Sequence, residues 1–103
     1  MSIKKVYVKK KPICKVTFNL SVSVGEKVRN AAVLGEFNNW SASATPMKRL
    51  RNGEFTASVE LARGRNYQFR YLLDKTQWEN DPEADRLVPT PYGDCYNSVL
   101  EII

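Results

Sequence analysis

A chain of 103 residues, 43% hydrophobic and 26% charged, has room for one ordinary core and is too apolar to remain disordered. It has no histidine and two cysteines, Cys14 and Cys95, which excludes a Ser–His or Cys–His nucleophile and leaves too few ligands for a Cys/His zinc centre. No stretch approaches the roughly 20 apolar residues of a membrane span, and the N-terminus lacks an apolar signal region. We therefore expect no membrane partner, a cytoplasmic location, and two partly buried, reduced thiols rather than a bridge.

The net charge of +5 is concentrated at the start of the chain. Lys4, Lys5, Lys9, Lys10, Lys11 and Lys15 have no acid among them, and setting these six aside leaves a balance of −1. Residues 1–12 read as a basic arm or an edge strand that lysines keep soluble and unpaired. The body, residues 13–103, reads as a single domain. Its neutrality argues against nucleic acid, which calls for basic residues spread over one face among aromatics.

Period-two alternation dominates from there. Cys14, Val16, Phe18 and Leu20 alternate with Lys15, Thr17 and Asn19, which predicts a strand with one wet face. Ala31 to Phe37 forms a short apolar run between Asn30 and Asn38. Asn52-Gly53, between Met47–Arg51 and a strand from Glu54, is a strong hairpin signal. Phe55, Ala57, Val59 and Leu61 alternate with acids and hydroxyls. Ala62-Arg63-Gly64 then makes a tight connection to Tyr67, Phe69, Tyr71 and Leu73, and Lys75-Thr76 makes a third turn. Asp81 to Asp94, with its three prolines, is expected to be irregular. Val99 to Ile103 closes the chain as a strand. Nothing supports a helix longer than two turns. The expectation is an all-β fold, an immunoglobulin-like antiparallel β-sandwich, with an open barrel or jelly roll as the small alternatives. Val16, Phe18, Leu20, Val33, Phe55, Val59, Leu61, Tyr67, Phe69 and Tyr71 should share its core.

Several polar and aromatic positions fall outside that pattern. Trp40 and Trp78 both sit in hydrophilic sequence, so each either caps an end of the core or is exposed. An exposed indole offers a flat face for the apolar C–H surface of a sugar ring. Arg70 has the opposite parity to its apolar neighbours and should point outward as a multiple donor. Asn97 opens the last strand and is either a turn former or a ligand for vicinal hydroxyls. Asp74, Asp81 and Asp85 lie beside a turn and on a Pro-bounded loop, where acids are ordinary, and a small sandwich offers them no deep cleft.

The segments Gly35-Glu36-Phe37-Asn38-Asn39-Trp40, Tyr67 to Asp74, Gln77-Trp78-Glu79-Asn80-Asp81-Pro82 and Asn97 to Ile102 are similar, in order and spacing, to the family-48 carbohydrate-binding modules. That family includes the glycogen-binding domain of the AMP-activated protein kinase β subunit and the early-set domains preceding isoamylase and branching-enzyme barrels. The resemblance spans residues 13–103. It implies an early-set sandwich that binds α-1,4-linked glucan, glycogen or starch-like, without catalysis or cofactor. The glucose units would stack on Trp40 and Trp78, with Arg70 in place of the usual lysine and Asn97 as second anchor. Tyr92, just before Gly93, is the nearest match to a loop residue that reaches the glucan in some members. The usual Asp-Gly turn before the second tryptophan reads Asp74-Lys75-Thr76 here, longer and without the glycine. The chain is expected to stand without a catalytic barrel of its own. The alternative is an early-set interaction domain that docks on a separate glycogen-metabolising enzyme or kinase and binds no glucan itself.

Overall fold

A computed structural model describes residues 2–91 and 95–103. Two antiparallel sheets face one another. The first has the order β1 (Ser2–Tyr7), β2 (Ile13–Leu20), β5 (Phe55–Ala62), β4 (Lys48–Arg49). The second runs β3 (Ala31–Gly35), β6 (Arg65–Leu73), β9 (Tyr96–Ile102), β8 (Arg86–Pro89), and β7 (Gln77–Glu79) also pairs with β6. The sole α-helix among the described residues is one turn, α1 (Val22–Gly25), and no described helix is long and apolar enough to cross a membrane.

Each strand's alternation decides what it buries. In β2, Cys14, Val16, Phe18 and Leu20 are fully buried, and in β6 Tyr67, Phe69 and Tyr71 face them. Phe18 sits 5.1 Å from Phe69 and 6.1 Å edge-on to Tyr71, within the range of favourable ring contacts. Val33, Phe55 and Leu61 join the same core, together with Leu100 and Ile102 of β9. Val59 is only partly buried at its margin, because β4 covers β5 over two residues and leaves the rest of that edge open. The Asn52-Gly53 turn forms as its sequence predicts, with Gly53 at φ 93° and the Asn52 side chain accepting from the Glu54 N–H.

Three expectations are corrected. The run Ala31–Phe37 is a strand only to Gly35, after which a 3-10 turn takes Glu36–Asn38. The stretch 81–94 is not irregular throughout: β8 lies inside it as an edge strand, a position that tolerates Pro89 because one side needs no donor. The thiols differ, with Cys14 buried in the core and Cys95 exposed, and neither is bridged.

Buried polar groups fasten the second sheet. Asp81, 1% exposed, accepts from the Tyr71 hydroxyl at 2.6 Å, and its backbone N–H donates to Ser98 Oγ. On the same β9 side Lys5 of β1 reaches across the sandwich, donating to Asp85 at 2.6 Å and to the Glu101 carbonyl at 3.1 Å. The first sheet is thereby tied to the β8–β9 side of the second.

Candidate functional site

The outer face of the second sheet carries the odd-parity residues. Tyr67, Phe69 and Tyr71 point inward, so Gln68, Arg70 and Leu72 point out. On β3, Leu34 stands opposite Arg70 and Ala32 opposite Leu72, while on β7 Trp78 stands opposite Leu72. Pairing of β6 with β9 runs to Phe69↔Ser98, and one further step of that register sets Arg70 beside Asn97. Trp40 packs from its loop onto Ala32, Leu34 and Leu72. Neither tryptophan is in the main core, and both belong to this outer face.

Their surroundings differ. Trp78 is 44% exposed and has the Arg70 guanidinium 4.6 Å above its ring, a cation–π contact. Trp40 is half-buried rather than fully exposed. It owes its position to Asn38, whose Oδ1 accepts from the Gly35 N–H while Nδ2 donates to the Val33 carbonyl and to Thr45 Oγ1. Asn39 and Trp40 both take positive φ, 55° and 56°, and the Trp40 N–H donates to the Gly35 carbonyl. Left-handed backbone at a bulky residue costs about 1–2 kcal/mol, so the loop holds Trp40 in place against local preference. Gly35 permits the close approach: a Cβ there would lie 2.7 Å from the Gln68 carbonyl oxygen and 2.9 Å from Phe69 Cβ.

A cleft of about 350 Å³ opens beside Trp40, lined by Glu36, Gln68, Arg70, Thr90 and Asn97. Asn97 is only 8% exposed, more enclosed than an anchor on an open strand would be, with β8 paired along one side of it and Gln68 of β6 bonded to it on the other. Its Nδ2 donates to Gln68 Oε1 at 2.9 Å, and Glu36 accepts from the Gln68 backbone N–H at 2.8 Å. Two buried atoms here, Arg70 Nε and Asn97 Oδ1, have no hydrogen-bond partner among the described residues. One is a donor and the other an acceptor. A second, more apolar cleft of about 540 Å³ lies on the Ala32–Leu72 side of the same cluster, bounded by Ala42, Pro46 and Lys75.

The structure thus brings Trp40, Arg70, Trp78 and Asn97 to one surface; Tyr92 lies outside the described residues. Gln68 and Glu36 are additions to the set. Gln68 shares the outward parity of Arg70, and that signal was available in the sequence. Asp74, Asp81 and Asp85 are all structural. Asp81 is buried, Asp74 accepts from the Arg29 and Asn30 N–H groups, and Asp85 is held by Lys5 and the Glu101 N–H. Partial burial raises the Asp85 carboxyl, but those two donors outweigh it and hold the group below the usual carboxylate range.

The turn before Trp78 compensates for its missing glycine with Asp74 and Lys75 at φ 50° and 64°. Consecutive positive φ values match the twist of a hairpin, so β7 still returns antiparallel along β6.

No curated protein matches the chain. The family model for carbohydrate-binding module 48 (isoamylase N-terminal domain) matches residues 25–93, a span that includes Trp40, Arg70 and Trp78 and stops short of Asn97. That match covers well over half of the sequence and agrees with the two-sheet, early-set sandwich, so the chain belongs to this family and is a non-catalytic carbohydrate-binding domain.

Proposed function

We propose that the carbohydrate is an α-1,4-linked glucan, glycogen or a starch-like chain met in the cytoplasm. Trp40 and Trp78 supply stacking surfaces, and Arg70 and Asn97 are the polar anchors. Tyr92, next in the chain after Pro91, completes the proposed set. The observation that carries the reading is the unpartnered pair, Arg70 Nε and Asn97 Oδ1, in the cleft beside Trp40. An unsatisfied buried polar group costs about 1–3 kcal/mol, and a pair of opposite character in one cleft suits hydroxyls, which both donate and accept.

A sugar in water is already well hydrogen-bonded, so polar contacts alone add about 0.5–1.5 kcal/mol each. Stacking contributes the apolar burial, about 0.5–1.5 kcal/mol per ring beyond area, and together these give micromolar to millimolar affinity.

The test is retention on insoluble starch and glycogen beside cellulose. Trp78→Ala should abolish retention with little change in the melt, since the ring is largely outside the core. Trp40→Ala should also abolish it, at some loss of stability, because that ring covers Ala32, Leu34 and Leu72. Arg70→Ala and Asn97→Ala should each weaken it. If the wild-type chain ignores all α-glucans, the reading is wrong. Docking on a glycogen-metabolising enzyme or kinase is then the reading to pursue, with the same outer face as the contact.

A further inference from the structure

Which end of the Asn97 amide faces the cleft decides what kind of polysaccharide the cleft accepts. We propose that Gln68 is a positioning residue that turns the Asn97 carbonyl into the cleft, and that this buried acceptor makes the site select neutral, hydroxyl-bearing glucan over anionic polysaccharide. The inference rests on the α-glucan reading above.

Asn97 Nδ2 donates to Gln68 Oε1 at 2.9 Å, which commits one side of the amide and leaves Oδ1 on the other. Oδ1 is buried and has no partner among the described residues, and Asn97 as a whole is 8% exposed. Gln68 is itself fixed through its backbone N–H, which donates to Glu36 Oε1 at 2.8 Å. Among the residues that line the cleft, the buried polar atoms without a partner are therefore one donor, Arg70 Nε, and one acceptor, Asn97 Oδ1.

A glucose hydroxyl meets both requirements, because it can accept from Arg70 and donate to Asn97. Carboxylate and sulfate oxygens only accept. They would satisfy Arg70 but set oxygen against the Asn97 oxygen, with Glu36 as a further negative charge on the cleft wall. The chain's overall charge of +5 favours a polyanion at long range, so discrimination against one has to come from the cleft.

The probes are amylose and carboxymethyl amylose of matched length, in affinity electrophoresis at physiological salt. Wild type should be retarded by amylose at least about tenfold more strongly than by the carboxymethylated polymer. Gln68→Glu can only accept, so it keeps the Asn97 carbonyl in the cleft and should hold amylose affinity within about threefold. Gln68→Met is similar in length but has no acceptor. It should lower amylose affinity about fivefold, the loss expected for one neutral hydrogen bond, and narrow the preference between the polymers.

Equal retention of both polymers by wild type overturns the inference while leaving the glucan reading intact. So does a Gln68→Glu variant as impaired as Gln68→Met, since a merely structural role would not be rescued by an acceptor. A wild-type chain with no affinity for amylose overturns the glucan reading and this inference with it. Should Gln68→Met fail to fold, the wild-type preference and Gln68→Glu still decide.

Discussion

Removing one oxygen atom, Tyr71→Phe, examines how the loop after Trp78 is held. The Tyr71 hydroxyl is fully buried and donates at 2.6 Å to Asp81 Oδ2, while the other oxygen, Oδ1, accepts from the Glu83 N–H. Phenylalanine fills nearly the same volume, so cavity formation is minor and the loss is that of a hydrogen bond to an ionised group. Such bonds contribute about 1.5–3 kcal/mol. With roughly 4–8 °C per kcal/mol for a domain of this size, a loss near 2 kcal/mol lowers the melting temperature by about 8–16 °C.

Urea titrations of the two single variants and the double variant Tyr71→Phe/Asp81→Ala complete a cycle whose coupling should be at least about 1 kcal/mol. The alkaline limb carries the same information. Burial, and then the Asp81 charge, push the Tyr71 hydroxyl far above its usual range. Its neutral form therefore stabilises the fold fully below about pH 10, and that contribution falls as pH rises further, where only the unfolded chain ionises. Tyr71→Phe should remove that part of the alkaline decline. A variant within about 0.5 kcal/mol of wild type, or strict additivity in the cycle, would refute the clamp.

Other outcomes follow from the same geometry. Lys75→Gly should stabilise the chain by about 0.5–1 kcal/mol in denaturant titrations, because glycine relieves the positive φ of that turn. Asp85, with its carboxyl held below the usual range, contributes stability that is present above about pH 4 and fades as pH falls further. Asp85→Asn should thus lower stability by up to about 1 kcal/mol at neutral pH and make its acid decline shallower. Glycogen retention should barely change between low and physiological salt, since a neutral polysaccharide releases no counterions; a tenfold fall would indicate an anionic target.

The strands that alternate strictly were legible. Residues 14–20, 55–61 and 67–73 announce their inward sets, and Asn52-Gly53 announces its turn, because both signals are local. β8 was not, since Arg86-Leu87-Val88-Pro89 is too short to alternate and becomes a strand only by pairing with β9. Val59 has the right parity yet is only partly buried, and that depends on how far β4 extends along its neighbour. At the site, the outward direction of Arg70 followed from parity alone. The burial of Asn97 did not, because it comes from neighbours on other strands, Val88 of β8 and Gln68 of β6, and local sequence carries no measure of such contact. The polar neighbours of Trp40 left a core cap and an exposed ring both open, and what lies beneath it, Ala32, Leu34 and Leu72 across two strands, is not local in sequence.

The three residues of β7 hang Trp78 from β6 by Tyr71↔Glu79, Leu72↔Trp78 and Leu73↔Gln77, end to end with β9 along the same edge. A ladder so short can open while the aromatic layer beneath stays intact. Half of the proposed stacking surface therefore has a local stability of its own, smaller than that of the domain. A ligand that seats on Trp78 must favour the closed ladder, so affinity would include the free energy of keeping β7 docked. Substitutions at Asp74 or Lys75 could then tune the grip on a polysaccharide without touching it.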